Sequence, residues 1–378
     1  MARFRSFRVR LPSGVTYWSV IDERYRPVDV ADEFLLACRL GRDAAEGTTQ
    51  AYATSLALFL QWCAVSEVDW RSSGRHLSRF VFWLQHYDPQ ATGPALETPV
   101  RGPGRVNAVL AAVREFLKYC VSVGAAEAVL LDALYDVVRD WDVPVEVSGQ
   151  RVGLRERPRH RLCEPERVIV AATDAEVLAL LRACRNARDR FIVLALWRMG
   201  LRRGELTGVR REDVHFVADA TLLGCGVQGP HLHVRRRDNR NGAVAKSRRA
   251  RAVPADWLVV QAYDQYAAVR ERCQAAAPCD FLLVNLFQAP VGQPMRPQAV
   301  NELLAALSRR AGLGRGMHPH ALRHSFASNV AASGATLDEI KDLLGHAFVT
   351  SSEVYLHPAP DRLRQAVDRV GVPRMDAP

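Results

Sequence analysis

Between Thr48 and Val65, apolar residues recur at helical spacing: Tyr52, Leu56, Phe59, Leu60 and Cys63 share a face behind the polar pair Thr48 and Thr49. The same period predicts helices over Leu77 to Tyr87, Val106 to Val123 (closed by Gly124) and Ala126 to Trp141. The Pro/Gly-rich stretch Asp88 to Gly104 separates the second from the third. Four short amphipathic helices before residue 142 make a helical bundle, expected over 31–142. The first thirty residues carry mixed charge and no clear period, which predicts an N-terminal arm over 1–30. From Val143 to Arg161 the period is lost among prolines, glycines and arginines, so 143–164 reads as a linker.

A second domain, 165–378, opens at Thr173-Asp174-Ala175-Glu176, the spacing of a capping box at the head of a helix through Cys184. Helices are predicted over Arg190 to Met199, Trp257 to Arg272, Gln298 to Ala311, Pro319 to Ala332 and Leu337 to Leu344. Val214 to Val234 alternates and contains glycines, and His231 to Arg237 reads as a strand leading to the turn Asp238 to Gly242. The expected fold is mainly α with a small β-sheet.

Length and composition narrow the function. At 378 residues the chain is long for one domain and comfortable for two. With 48% hydrophobic and 24% charged residues it is neither disordered nor low-complexity. The longest apolar run, Phe191 to Trp197, falls far short of the roughly 20 residues a membrane helix needs, so no membrane association is expected. The basic N-terminus lacks the apolar core of a secretory signal. The 8 cysteines show no CxxC pairs or histidine clusters, so no disulfide framework, zinc site or other cofactor is expected, and a cytoplasmic location follows. Lys plus Arg number 51 against 41 acidic residues, a net charge of +10 that suits a polyanion, nucleic acid first. Only Lys118, Lys246 and Lys341 are lysines; every other basic side chain is arginine.

Four segments carry candidate chemistry. In Gly200-Leu201-Arg202-Arg203-Gly204-Glu205-Leu206, Arg202 and Glu205 share a helix face, a helix-end salt bridge if nothing more. In His318-Pro319-His320-Ala321-Leu322-Arg323-His324, Pro319 suits a first helical position, and His320 and Arg323 project together beside free amides that favour an anion. Leu344-Gly345-His346 precedes Tyr355, which Thr350, Ser351 and Ser352 set on its own short helix or segment. Between Arg235 and Arg251 lies a basic loop with one acid, Asp238, and one lysine, Lys246. A basic loop touching phosphates accounts for most of its arginines, but an ammonium, unlike a guanidinium, can be tuned to donate a proton.

The set Arg202-x-x-Glu205, Lys246 with Arg251 and Val253-Pro254 behind it, His320-x-Leu-Arg323-His324, Leu344-Gly345-His346 and Tyr355 resembles the tyrosine recombinase (phage integrase) family in order and spacing. The resemblance is close over roughly 165 to 365 and looser in the N-terminal helices, at Thr49, Tyr52, Phe59, Trp62 and Asn107. It implies an N-terminal core-binding bundle plus an α+β catalytic domain that cuts and rejoins DNA without metal or ATP. Arg202 and Arg323 would clamp the phosphate and Tyr355 attack it, giving a 3′-phosphotyrosyl intermediate. Lys246 would protonate the leaving 5′ oxygen, His320 and His346 assist, and Glu205 orient the arginines. Arg235, Arg237, Arg248, Arg249 and Arg251 are expected DNA contacts. The partners implied are double-stranded DNA with specific recombination sites, a homotetramer in the synaptic complex, with the segment Asp361 to Val370 on a neighbour, and accessory DNA-bending proteins. The biological setting implied is a mobile element or replicon. A type IB topoisomerase-like enzyme and a non-catalytic DNA-binding relative remain as alternatives.

Overall fold

In the computed structural model, which describes residues 4–87, 99–139, 154–165, 170–247 and 249–345, the chain divides into two units, Met1–Arg167 and Val168–Pro378. The first opens with a hairpin, β1 (Arg5–Arg10) antiparallel to β2 (Thr16–Ile21), in register from Arg5 opposite Ile21 to Arg10 opposite Thr16. This corrects the expectation of an arm over 1–30. Tyr17, Val20 and Ile21 are buried, and Arg8 and Thr16 both bond the Glu46 carboxylate, at 2.6 and 2.7 Å. Arginines crowd β1, so its alternation is masked; the apolar face that fixes the hairpin belongs to β2.

Helices α1 (Asp29–Leu36), α2 (Glu46–Val65), α3 (Leu77–His86), α4 (Pro103–Ser122) and the single turn α5 (Val129–Asp132) follow. The periodic residues of α2 meet an aromatic core in which Phe34, Phe59, Trp62, Phe80 and Phe116 are all nearly or fully buried. Ring centroids lie 5.0 Å apart for Trp62 and Phe80 and 5.5 Å for Phe59 and Phe80, the tilted and edge-on contacts aromatic rings prefer. The helix expected over Ala126 to Trp141 is a second correction: after α5 the chain becomes β3 (Tyr135–Arg139), paired antiparallel with β4 (Leu154–Pro158). The strand exists because a distant segment supplies its partner. Part of the expected linker therefore packs on the first unit, and Asn107 clasps the Leu162 backbone in both directions, at 2.9 Å each.

The second unit begins with α6 (Asp174–Ala183), whose Thr173–Glu176 capping box forms as expected. The apolar helix α7 (Ala187–Arg198) buries Phe191 to Leu196 in the core, where Phe191 stacks on Tyr266 at 5.8 Å. Next come the short α8 (Arg203–Gly208) and a three-stranded antiparallel sheet in the order β5 (Val214–His215), β6 (His231–Val234), β7 (Arg251–Pro254). The chain ends its described course with α9 (Trp257–Glu271), α10 (Pro297–Arg310), α11 (Pro319–Ala332) and α12 (Leu337–Leu344). Among the described residues no helix is long and apolar enough to cross a membrane.

Candidate anion-binding active site

Glu205 is the centre of the site. It occupies the third position of α8, and its side chain is fully buried. Its carboxylate accepts the Arg202 backbone N–H at 2.9 Å and Arg202 Nη1 at 2.8 Å, which ties down the turn that opens α8. Arg251, from β7, donates to both carboxylate oxygens, at 3.2 and 2.9 Å. Arg323, from α11, brings Nη1 to 3.8 Å of the same carboxylate. Burial pushes the Glu205 carboxyl up, but the Arg251 hydrogen bond and charge, with Arg202, outweigh it and hold the group below the usual carboxylate range.

The three guanidiniums are tied to main chain as well. Arg323 donates to the Gly200 carbonyl and, at 2.6 Å, to that of Leu344. Arg202 Nη1 also reaches the Leu344 carbonyl at 3.2 Å, and Arg251 Nε that of Leu343 at 3.0 Å. These are carbonyls of the last turn of α12, where a helix leaves acceptors unpaired and carries partial negative charge. Gly345 closes that helix at φ 63°, and a side chain there would put its Cβ 2.6 Å from Arg251 Nη1, so glycine is required twice over.

Three guanidiniums converge on the one Glu205 carboxylate. Among the described residues, no protein acceptor takes Nε or Nη2 of Arg202. Arg202 and Arg251 line a cleft of about 1420 Å³ together with Lys246, Arg249 and Lys341 and the carboxylates Glu339 and Asp342. Lys246 itself is exposed, on the loop between β6 and β7. That loop is firmly built: Asn241 donates to the Thr207 and Met295 carbonyls at 2.9 and 2.8 Å, and Asn239 to Ala243 at 2.9 Å. Gly204 makes room for it, since a Cβ there would lie 2.6 Å from the Val244 carbonyl oxygen.

His320 sits in the first turn of α11, one edge open to solvent. Partial enclosure, then the charges of Arg323, Lys246, Arg202 and Arg203, lower its pKa, leaving the ring neutral at pH 7. The charges of Arg202, Lys246 and Arg323, far apart in sequence, thus all bear on His320. A neutral imidazole beside an arginine cluster can both donate a hydrogen bond to an anion and accept a proton.

Two arginines expected on DNA are placed otherwise. Arg251 is only 10% exposed and serves Glu205, while Arg237 turns inward onto both oxygens of buried Asp213, at 2.6 and 3.0 Å. Their basic character hid structural partners 46 and 24 residues away. Arg235 is half exposed and lies 3.6 Å from Asp213, and Arg249 is exposed. His346, Tyr355, the tail from Asp361 and the Arg248 side chain lie outside the described residues. The expectation that no histidines cluster is also corrected: the sheet gathers His215, His231 and His233 with Cys225.

The phage integrase family model matches residues 171–362, just over half the chain, a span that contains Arg202, Glu205, Lys246, Arg251, His320 and Arg323. The tyrosine recombinase XerC of Methylobacterium nodulans is 28% identical over 342 residues, covering 90% of this chain and 91% of its own. The tyrosine recombinase XerD of Bifidobacterium longum is 24% identical over 88% of this chain and 94% of its own. In fold, the chain is similar to the XerH site-specific recombinase bound to difH substrate in a pre-cleavage complex, with TM-score 0.56 and 16% identity over 91% of this chain and 85% of that one. With the match running through the buried arginine–glutamate cluster, the chain belongs to the phage integrase family: it is a tyrosine recombinase, an enzyme of site-specific DNA recombination.

Proposed function

We propose that the Arg202–Glu205–Arg251–Arg323 cluster receives the scissile phosphate of duplex DNA, and that Tyr355 attacks it. The observation that carries this reading is the convergence of three guanidiniums on Glu205, with Arg202 donors that no acceptor takes among the described residues and that open on a cleft walled by Lys246. Attack by the phenolic oxygen forms a P–O bond to Tyr355 and breaks the bond to the 5′ oxygen, which takes a proton from Lys246. Charge rises on the non-bridging oxygens in that transition state, and forked guanidinium donors are the groups that stabilise it. Neutral His320 hydrogen-bonds the phosphate and assists transfer of the phenolic proton, with His346 as a further donor. Attack by a 5′-hydroxyl from another duplex reverses the step, so the covalent link conserves the bond without ATP.

In the same reading Met1–Arg167 is the core-binding unit, four protomers assemble in the synaptic complex, accessory DNA-bending proteins set direction, and the enzyme serves a mobile element or replicon in the cytoplasm. Many arginine–phosphate contacts make affinity steeply salt-dependent, by about 0.9 in log K per neutralised phosphate per decade of salt. The test is a nicked suicide substrate: the wild-type chain forms a covalent DNA adduct, and Tyr355→Phe binds the same DNA without forming one. An adduct on Tyr355→Phe would refute the assignment of the nucleophile.

A further inference from the structure

Away from the cleft, one face of the small sheet collects four metal-ligand side chains. Register sets His215 of β5 opposite His231 of β6. The two-residue period of a strand puts His231 and His233 on one face, while Leu232 and Val234 point into the core. Cys225 comes over from the connecting loop. His231 Nε2 lies 3.2 Å from His215 Nδ1, 3.2 Å from His233 Nε2 and 3.3 Å from Cys225 Sγ. Cys225 Sγ is also 3.3 Å from His233 Nε2, and all four donor atoms fall within 4.8 Å of one another.

Hydrogen bonding alone does not explain the convergence. His231 Nδ1 is 2.7 Å from the Gly229 carbonyl oxygen, which can only accept, so Nδ1 carries the hydrogen and Nε2 presents a lone pair. Three neighbours crowd that one lone pair, which suits a single in-plane donor. One cation at their centre would satisfy all four atoms. With Zn–N of about 2.05 Å and Zn–S of about 2.3 Å, the edges of a tetrahedron are roughly 3.3 to 3.6 Å, close to the four separations of 3.2 and 3.3 Å, and His215 lies within 4.8 Å of the other two donors. The Gly229 carbonyl supplies the outer hydrogen bond that orients a ligating imidazole.

We propose that His215, Cys225, His231 and His233 form a structural zinc site. Four protein donors close a tetrahedral shell and leave no position for substrate. The Cys225 thiol gives its proton to solvent as the S–Zn bond forms. The role follows from the loop between β5 and β6, which has little core of its own: Leu222 is 98% exposed and Leu223 59%. Loops of that length rarely stand without a staple, and a clip to β6 removes much of their closure entropy. β6 leads directly into the Lys246 loop, so the metal steadies the strand from which that loop departs.

The test uses the full chain purified under reducing conditions. Elemental analysis should return about one zinc per chain. After chelation, titration with Co²⁺ alone should give the intense visible bands of four-coordinate cobalt and a thiolate-to-metal charge-transfer band. Cys225→Ser should lose that charge-transfer band, and His233→Ala should weaken cobalt binding by about tenfold or more. Cys163→Ser, which changes an exposed cysteine elsewhere, should alter neither. Zinc should also raise the thermal midpoint of the wild-type apo-protein, a readout that does not depend on any variant folding. Substoichiometric zinc with only the weak spectrum of octahedral cobalt would overturn the proposal, as would equal metal content in wild type and Cys225→Ser.

Discussion

Replacing Glu205 with glutamine tests the site at its centre. The substitution keeps the shape and one acceptor oxygen but turns an NH₂ group toward guanidinium donors now bonded to carboxylate, and removes the single negative charge among three arginines. Breaking a buried ion network typically costs about 3–5 kcal/mol, and the acceptor that survives puts Glu205→Gln near about 3 kcal/mol. For a unit of this size each kcal/mol moves the midpoint by roughly 2–4 °C, so the catalytic unit should melt about 6–12 °C lower at pH 7. Acid should narrow the gap. The folded carboxyl lies below its ordinary value, so its stabilisation is present above the unfolded pKa of about 4.3 and lost as pH falls through the folded one. The variant has no such component. Differential scanning calorimetry at pH 7 and in steps below about pH 4.3 reads both effects. A shift under about 2 °C at pH 7, or a gap that widens in acid, would refute Glu205 as the group that holds the arginines together.

Further outcomes concern the cleft. Lys246→Ala should lose cleavage on ordinary DNA and recover it on a substrate with a 5′-bridging phosphorothioate, whose leaving group needs no proton; lack of rescue on a suicide-substrate gel would make Lys246 a phosphate contact only. Arg202→Lys keeps the charge but not the fork, and cleavage should fall by about 10²- to 10³-fold with DNA binding retained in a mobility-shift assay. Gly204→Ala drives a Cβ into the Val244 carbonyl, and the displaced Lys246 loop should slow single-turnover cleavage, with about 1–3 kcal/mol lost in denaturant unfolding.

Most of the helices were legible because their faces repeat every three to four residues and their caps are local: the Thr173–Glu176 box and Pro319 at the head of α11 each form as their spacing requires. The strands were less so. β3 is five residues long and takes its partner from Leu154–Pro158, so no local window contains the reason for it. The same holds within the site. Arg202 and Glu205 could be paired from their separation of three, whereas nothing near Arg251 or Arg237 points to Glu205 or Asp213. The histidine–cysteine group was hidden because sheet register, not spacing along the chain, brings His215 to His231.

The hydrogen bonds from Arg202, Arg251 and Arg323 to Glu205 and to the last carbonyls of α12 also bear on affinity. A free arginine side chain samples many rotamers, and confining one costs about 1.5–2 kcal/mol. In the proposed role that loss occurs when the protein folds rather than when DNA arrives, which spares the encounter about 3–4 kcal/mol for Arg202 and Arg323 together. In the proposed role, the rigidity that lets this cluster withstand its own repulsion also makes it a mould for the crowded oxygens of a phosphorus centre in mid-exchange.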